Sequence, residues 1–204
     1  MKRSLITLLL FAAIGIGSGS AAAAGDIAAG ERKAAVCTAC HGVGGNSVNP
    51  EWPILAGQHA SYTAKQIRDF MKGITRNNAL MAPMIANLSE EDIADLSAYY
   101  ESQVPTGGYA SEALHDLGER IYRGGIAQSA VPACIACHGP RGMGNGPAGF
   151  PRIAGQHAVY TAKQLEDWRT GLRSNDANSM MAEAVRLMSP TEMEAVSEYI
   201  AGLH

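Results

Sequence analysis

All four cysteines of the chain lie in two copies of one short motif, CTACHG and CIACHG. Each copy places two cysteines three positions apart, with a histidine directly after the second: Cys37, Cys40 and His41 in the first copy, and Cys134, Cys137 and His138 in the second. Residues at this spacing lie on one helical turn, so both thiols can reach one edge of a flat cofactor. The histidine that follows can offer its imidazole to a metal ion.

The spacing C-x-x-C-H is the attachment signature of covalent c-type haem. We therefore predict two haem c groups with their iron, each held by two thioether bonds and one axial histidine. Three other interpretations are weaker. A redox dithiol of the thioredoxin type occurs near a βαβ pattern, which this sequence lacks. A four-cysteine zinc site has its pairs about 15–20 residues apart, whereas the two pairs here are much farther apart. A disulfide within C-x-x-C closes a very small loop and stabilises little.

The second axial ligand decides what each iron can do. Methionine raises the reduction potential and suits electron transfer, whereas a second histidine lowers it and an open position permits catalysis. Outside the two motifs, His59 and His157 recur in matching GQHA sequences and form an alternative ligand pair. His115 and His204 have no counterpart in the other half.

The methionines before the last helical segment of each half can be ranked by the repeat. When these segments are aligned, one methionine recurs in both halves, as Met81 and Met181. The neighbouring Met84 is matched by an alanine, and Met180 is matched by a leucine. Most methionines only fill irregular gaps in a core. We predict that the recurring pair binds iron and that Met84 and Met180 are packing neighbours.

The rest of the chain repeats together with the motifs. LAGQHASYTAKQIRDF at 55–70 recurs as IAGQHAVYTAKQLEDW at 153–168. A period of about one hundred residues is the size of a domain, so the chain contains a duplicated domain. Apolar residues in each half recur at three- and four-residue spacing, and alternating strand patterns are absent. The predicted class is all-α, with two tandem domains that each wrap around one haem, and with helix N-caps at Ser89 and Ser189.

The N-terminus has the pattern of a secretory signal peptide. Lys2 and Arg3 precede an apolar run, and small residues follow it up to Ala24. The predicted segments are a cleaved signal peptide over 1–24, a first domain over 25–104, a Pro/Gly linker over 105–111 and a second domain over 112–204. This organisation indicates export to the periplasm.

Charge argues against nucleic acid as a partner. The chain has 16 basic and 19 acidic residues, and cleavage of the signal peptide removes Lys2 and Arg3. The remaining 14 basic residues give a formal charge of −5 instead of −3 and leave no basic stripe to neutralise phosphates. No segment beyond the signal peptide is apolar enough to span a membrane, although peripheral association with one is compatible with the sequence.

Each half resembles a class I cytochrome c domain, through its C-x-x-C-H motif, a downstream methionine and a closing helix. Two such domains behind a signal peptide resemble the di-haem cytochrome c4 family. The stretches GFPRIAGQHAVYTAKQL and, at the C-terminus, YIAGLH also resemble sequences of that family. The resemblance implies the axial histidines and methionines predicted above. It also implies that a prolyl carbonyl accepts the Nδ1–H of each histidine, Pro53 for His41 and Pro151 for His138.

The resemblance further implies that the first and last helices of each domain cross at a glycine packed on an aromatic ring. The residues that fit are Gly30 and Tyr99 in the first domain, and Gly118, Tyr122 and Tyr199 in the second. Ala34 stands where another aromatic is expected, so the first crossing should be looser. Four polar residues recur on the next helix and either meet a haem propionate or have a surface or packing role: Tyr62, Tyr160, Gln66 and Gln164.

The resemblance implies an electron-transfer protein, not an enzyme, that carries single electrons between respiratory-chain partners. Membrane respiratory complexes and terminal oxidases or reductases are the expected donors and acceptors. One alternative is the di-haem electron-accepting subunit of a larger dehydrogenase of the flavocytochrome type. Another is a di-haem peroxidase or thiosulfate-oxidising enzyme, which would need one iron with histidine, cysteine or nothing as its sixth ligand. The recurring methionines and the lack of a fifth cysteine favour the carrier.

Overall fold

The computed structural model describes residues 25–204, and the predicted signal peptide over 1–24 lies outside this range. The described residues form ten α-helices and short 3₁₀ turns without a named strand, which confirms the predicted all-α class. Within this part of the chain, no helix has the length and apolar character needed to cross a membrane.

The helices follow the same order in both halves. The first half contains α1 (Ile27–Lys33), α2 (Thr38–His41), α3 (Ala60–Lys72), α4 (Met81–Ile85) and α5 (Glu90–Ser102). The second contains α6 (His115–Gly124), α7 (Ile135–His138), α8 (Ala158–Thr170), α9 (Met180–Val185) and α10 (Pro190–Ala201). This order agrees with the duplication inferred from the sequence.

The first and last helices of each half cross at the expected glycines. Gly30 of α1 lies against α5, and a β-carbon added to it would come within 2.7 Å of Cβ of Tyr99. Gly118 of α6 lies against α10 in the same way, and its added β-carbon would lie 2.7 Å from Cβ of Tyr199. Both added β-carbons would also overlap backbone atoms of the opposing helix. Only glycine permits the two helices to approach so closely.

The two crossings are stabilised differently. In the second half, Tyr122 and Tyr199 belong to a large apolar cluster. In the first half the buried cluster is small, and Ala34 occupies the position of the missing aromatic. An ion pair supplements it, since Lys33 Nζ of α1 lies 2.6 Å from Asp95 of α5 and also contacts Asp92. The first crossing therefore depends more on charge and less on apolar packing.

The last helix of each half begins at the predicted serine. The Ser89 hydroxyl accepts the N–H of Asp92 at 3.1 Å, and the Asp92 carboxylate accepts the N–H of Ser89 at 2.9 Å. Ser189 and Glu192 form the same capping box. Such reciprocal bonds satisfy two N–H groups that the start of a helix otherwise leaves unpaired. They fix the start of α5 and α10 shortly after the recurring methionines.

Candidate haem centres

Both C-x-x-C-H motifs form a short helix that ends on the histidine and is followed by glycine. Gly42 after α2 has φ of 74°, and Gly139 after α7 has φ of 77°. This left-handed region favours glycine, which explains why both motifs continue as C-H-G. All four cysteines are free thiols that are at least partly accessible, so each is available to form a thioether bond.

The motif histidines are buried and are held by the expected prolyl carbonyls. His41 donates its Nδ1–H to the carbonyl oxygen of Pro53 at 3.0 Å, and His138 donates to that of Pro151 at 3.0 Å. Burial lowers the pKa of both histidines, and the hydrogen bond opposes this shift only in part. Both are therefore neutral at pH 7, the form that binds metals. Because Nδ1 is occupied, Nε2 is the nitrogen available to iron.

The recurring methionines lie in equivalent places. Met81 and Met181 are half-buried at the start of α4 and α9. A preceding Asn or Asp side chain accepts the backbone N–H of each, at 3.1 and 2.7 Å. Met84 is 49% exposed and Met180 is 44% exposed. Burial therefore ranks the four methionines in the same order as the sequence repeat does.

Two features of the described residues fit a large apolar cofactor with acidic groups. The indole N–H of Trp168 is buried and has no acceptor among these residues. Arg76 and Arg173 are only 7% and 3% exposed, and the hydrogen bonds that their guanidinium groups donate end on neutral side chains. Haem propionates would supply both an acceptor and the missing negative charge. The residues present therefore fit haem c.

The positive charge of these arginines lowers the pKa of a neighbouring tyrosine. Burial by itself raises the pKa of Tyr62, but the charges of Arg173 and Arg76 outweigh burial and lower it. A buried region with a net positive potential favours an anionic group, which is consistent with the acidic edge of a haem.

The recurring tyrosines and glutamines contact these arginines across the junction between the two halves. Arg76 donates to the Tyr160 hydroxyl at 2.8 Å, and Arg173 donates to the Tyr62 hydroxyl at 2.9 Å. The two recurring glutamines accept from the same guanidinium groups. These contacts give the four residues a role in packing the two halves together.

The GQHA histidines also lie at the junction. His59 and His157 each donate Nε2–H to a backbone carbonyl of the opposite half at 2.9 Å. Both imidazoles are thus used to connect the two halves through Nε2. Sequence reasoning missed this role, because the only signal was the recurrence itself. A recurrence does not reveal which half a side chain contacts.

Comparisons with known proteins agree with this geometry. The family model described as Cytochrome c matches residues 27–103 and 117–204, one match in each half. The chain is 47% identical to cytochrome c4 of Azotobacter vinelandii, with 100% of both chains covered. It is 41% identical to the thiosulfate dehydrogenase electron acceptor of Stutzerimonas stutzeri (strain A1501), covering 83% of this chain and 80% of that protein.

A solved structure shows the same arrangement. The crystal structure of reduced recombinant cytochrome c4 from Pseudomonas stutzeri aligns with a TM-score of 0.86 at 46% identity. The alignment covers 89% of this chain and 100% of that chain. The chain therefore belongs to the cytochrome c4 family: it has two tandem cytochrome c domains, binds two covalent haem c groups and serves in electron transfer, not as an enzyme.

Proposed function

We propose that this di-haem electron carrier acts in the periplasm and passes single electrons between membrane respiratory complexes and terminal oxidases or reductases. When bound, haem iron supplies reversible one-electron chemistry. Axial methionine places its potential in a range that suits electron transfer. The observation that carries the proposal is the matched set in each half: a buried histidine on a prolyl carbonyl and a half-buried methionine at the same register.

The recurring cysteines, histidines, methionines and prolines each have one role in holding the haem groups. Four thiols would tether the cofactors: Cys37 and Cys40 in the first half, and Cys134 and Cys137 in the second. His41 and Met81 would complete the first iron site, and His138 and Met181 the second. Pro53 and Pro151 hold the histidine rings in one orientation through their Nδ1–H groups. No side chain is required to transfer a proton.

The compartment and the division of the chain are part of the proposal. The signal peptide predicted over 1–24 supports export to the periplasm. The domains over 25–104 and 112–204, with a linker over 105–111, are predicted from the repeat. After cleavage the acidic net charge of −5 favours redox partners that present a basic docking surface.

Haem stoichiometry in cell fractions tests this proposal. The full chain expressed in a bacterium that matures c-type cytochromes should appear in the periplasmic fraction with two covalent haems. Replacing both Cys134 and Cys137 with alanine should leave one haem, which remains attached after denaturation and retains its His/Met spectrum. Two attached haems in this variant, or a cytoplasmic holoprotein, would contradict the proposal.

A second candidate function is that of an electron-accepting subunit in a larger dehydrogenase. The likeness to a thiosulfate dehydrogenase electron acceptor favours it. Mild purification of the tagged chain from its native cells separates the two possibilities. A free carrier elutes alone at the size of one or two copies, whereas a subunit elutes in a fixed ratio with a dehydrogenase.

A further inference from the structure

Each half contributes one glutamine that binds a backbone peptide of the other half. Gln156 accepts the N–H of Ile54 through Oε1 at 2.9 Å, and its Nε2 donates to the Ile54 carbonyl at 2.9 Å. Gln58 does the same to Arg152, accepting at 3.0 Å and donating at 2.8 Å. The two contacts are reciprocal across the junction, so neither half alone contains them.

One contact of each glutamine, the bond that its Oε1 accepts, ends on the peptide group whose prolyl carbonyl accepts Nδ1–H of the motif histidine. The Ile54 N–H and the Pro53 C=O belong to one planar, resonance-coupled peptide unit. An acceptor on the N–H increases the negative charge on the oxygen, since hydrogen bonds in a chain polarise one another. Gln156 therefore strengthens the bond that Pro53 accepts from His41 Nδ1–H, which is 3.0 Å long.

The second chain of bonds runs in the opposite direction across the junction. Gln58 of the first half accepts the N–H of Arg152. The same peptide unit includes the carbonyl of Pro151, which accepts Nδ1–H of His138 at 3.0 Å. Each proximal histidine is thus connected by two hydrogen bonds and one peptide group to an amide side chain of the other half.

We infer that Gln58 and Gln156 are positioning residues, each of which lowers the reduction potential of the haem in the opposite half. The inference rests on the proposed function, because it takes His41 and His138 as axial ligands. A stronger Nδ1–H bond increases electron density on the imidazole and so stabilises Fe(III) relative to Fe(II). This makes the potential of each haem depend on the docking of the other domain.

The expected size of the effect is small but measurable. Cooperative strengthening of about 10–30% per hydrogen bond changes the redox equilibrium of one haem by roughly 1.5- to 3-fold. This corresponds to about 10–30 mV, since a tenfold change equals 59 mV for one electron.

The adjacent histidines provide matched controls. His157 donates to the Ser47 carbonyl at 2.9 Å, and His59 donates to the Met143 carbonyl at 2.9 Å. Both bonds cross the same junction to the same two loops, but neither ends on the peptide that contains Pro53 or Pro151. Their loss should loosen the junction without changing the polarisation of either prolyl carbonyl.

The test compares Gln156→Met and Gln58→Met in the two-haem protein, with His157→Ala and His59→Ala as controls. Methionine keeps the length of the side chain and removes its amide. A redox titration followed by NMR resolves the two haems, with signals assigned through contacts to His41 and His138. We expect Gln156→Met to raise only the potential of the first haem, and Gln58→Met only that of the second. Gln156→Ala and Gln58→Ala repeat the test if a methionine variant fails to fold.

A second readout reports on the hydrogen bond itself. In the reduced protein, the Nδ1–H signal of His41 should move upfield and exchange faster with solvent in Gln156→Met, while that of His138 stays in place. Unchanged potentials, equal shifts of both haems, or equal shifts in the histidine controls would overturn the inference. If the wild-type spectra show that His41 and His138 do not bind iron, the proposed function fails and the inference fails with it. If both bind and no crossed shift occurs, the inference alone fails.

Discussion

Arg76 and Arg173 face each other across the junction of the two domains as an antiparallel backbone bridge. Each guanidinium also reaches a tyrosine of the opposite domain, Tyr160 for Arg76 at 2.8 Å and Tyr62 for Arg173 at 2.9 Å. Each stacks over an aromatic ring of its own domain, at 4.2 and 3.9 Å from the ring centre. The junction thus has the approximate two-fold symmetry that a duplicated domain produces when its copies pack on each other.

Removing one of these arginines should destabilise the junction. Arg173→Met leaves the Tyr62 hydroxyl without the donor that it now has, and it removes one of three donors from the Gln66 amide oxygen. A buried polar group that loses its partner costs about 1–3 kcal/mol. We expect a lower free energy of unfolding in urea and a larger radius of gyration in solution scattering.

The control for this prediction is Arg186→Met. Arg186 is exposed, and its guanidinium pairs with Glu183 three residues earlier in the chain. A surface change of this kind usually alters stability by less than about 0.5 kcal/mol. Equal effects of Arg173→Met and Arg186→Met would show that the buried network does not hold the domains together.

The helix crossings should not tolerate a methyl group. Alanine at Gly30 or Gly118 places a β-carbon into the backbone of the opposing helix. Overpacking of this kind costs about 1–3 kcal/mol or more. Gly124→Ala is the matched control, because Gly124 ends α6 and no atom of residues 25–204 lies within 4 Å of a β-carbon added to it. Thermal unfolding should show a large loss for the first two variants and none for the third.

The ion pair of the first crossing should make the stability of this domain depend on pH in the acidic range. The hydrogen bond from Lys33 is the main reason that the pKa of Asp92 and that of Asp95 lie below their usual range. A carboxylate with a lowered folded-state pKa stabilises the protein above about pH 4, and this contribution disappears as the pH falls further. Lys33→Met should therefore unfold more easily than the wild type at pH 6, and the difference should shrink below pH 4.

Urea unfolding of both proteins at a series of pH values measures this difference. Lys33→Gln is a useful companion variant, because it keeps a donor but removes the charge. A stability difference that stays constant from pH 6 to below pH 4 would mean that Lys33 acts through its aliphatic stem and not through the two carboxylates.

The features that could be predicted from the sequence are those set by local spacing. The C-x-x-C-H motifs and the serine caps each depend on residues a few positions apart, whereas the crossing glycines follow from the resemblance to cytochrome c domains. The duplication also ranks Met81 above Met84, because only Met81 has a methionine counterpart in the second half. The structure agrees with this ranking, because Met84 is 49% exposed whereas Met81 is half-buried.

The contacts between the domains could not be predicted in this way. His59 and Tyr62 recur in the second half, and the sequence allowed a role beside a haem for both. In the structure they bind groups of the opposite domain. The packing of one copy on the other is a three-dimensional relationship, and a repeat in one sequence contains no information on which copy a side chain faces.

The choice of axial methionine gives a direct mutational prediction. Methionine bound to Fe(III) produces a weak absorption band at the red end of the visible spectrum, and each domain should contribute equally to it. Met81→Ala or Met181→Ala should remove half of the band, because one iron loses its sulfur ligand. Met84→Ala and Met180→Ala are the controls, and both should retain the full band because these side chains are more exposed than those of Met81 and Met181.

The central claim is that both haems of this electron carrier have one histidine and one methionine ligand. The absorption spectrum of the oxidised wild-type protein, normalised to its haem content, tests it most directly. We predict a methionine–iron band that integrates to two ligated haems per chain and is halved in Met81→Ala. A band that integrates to one haem, or that survives in Met81→Ala and is halved in Met84→Ala, would contradict the claim.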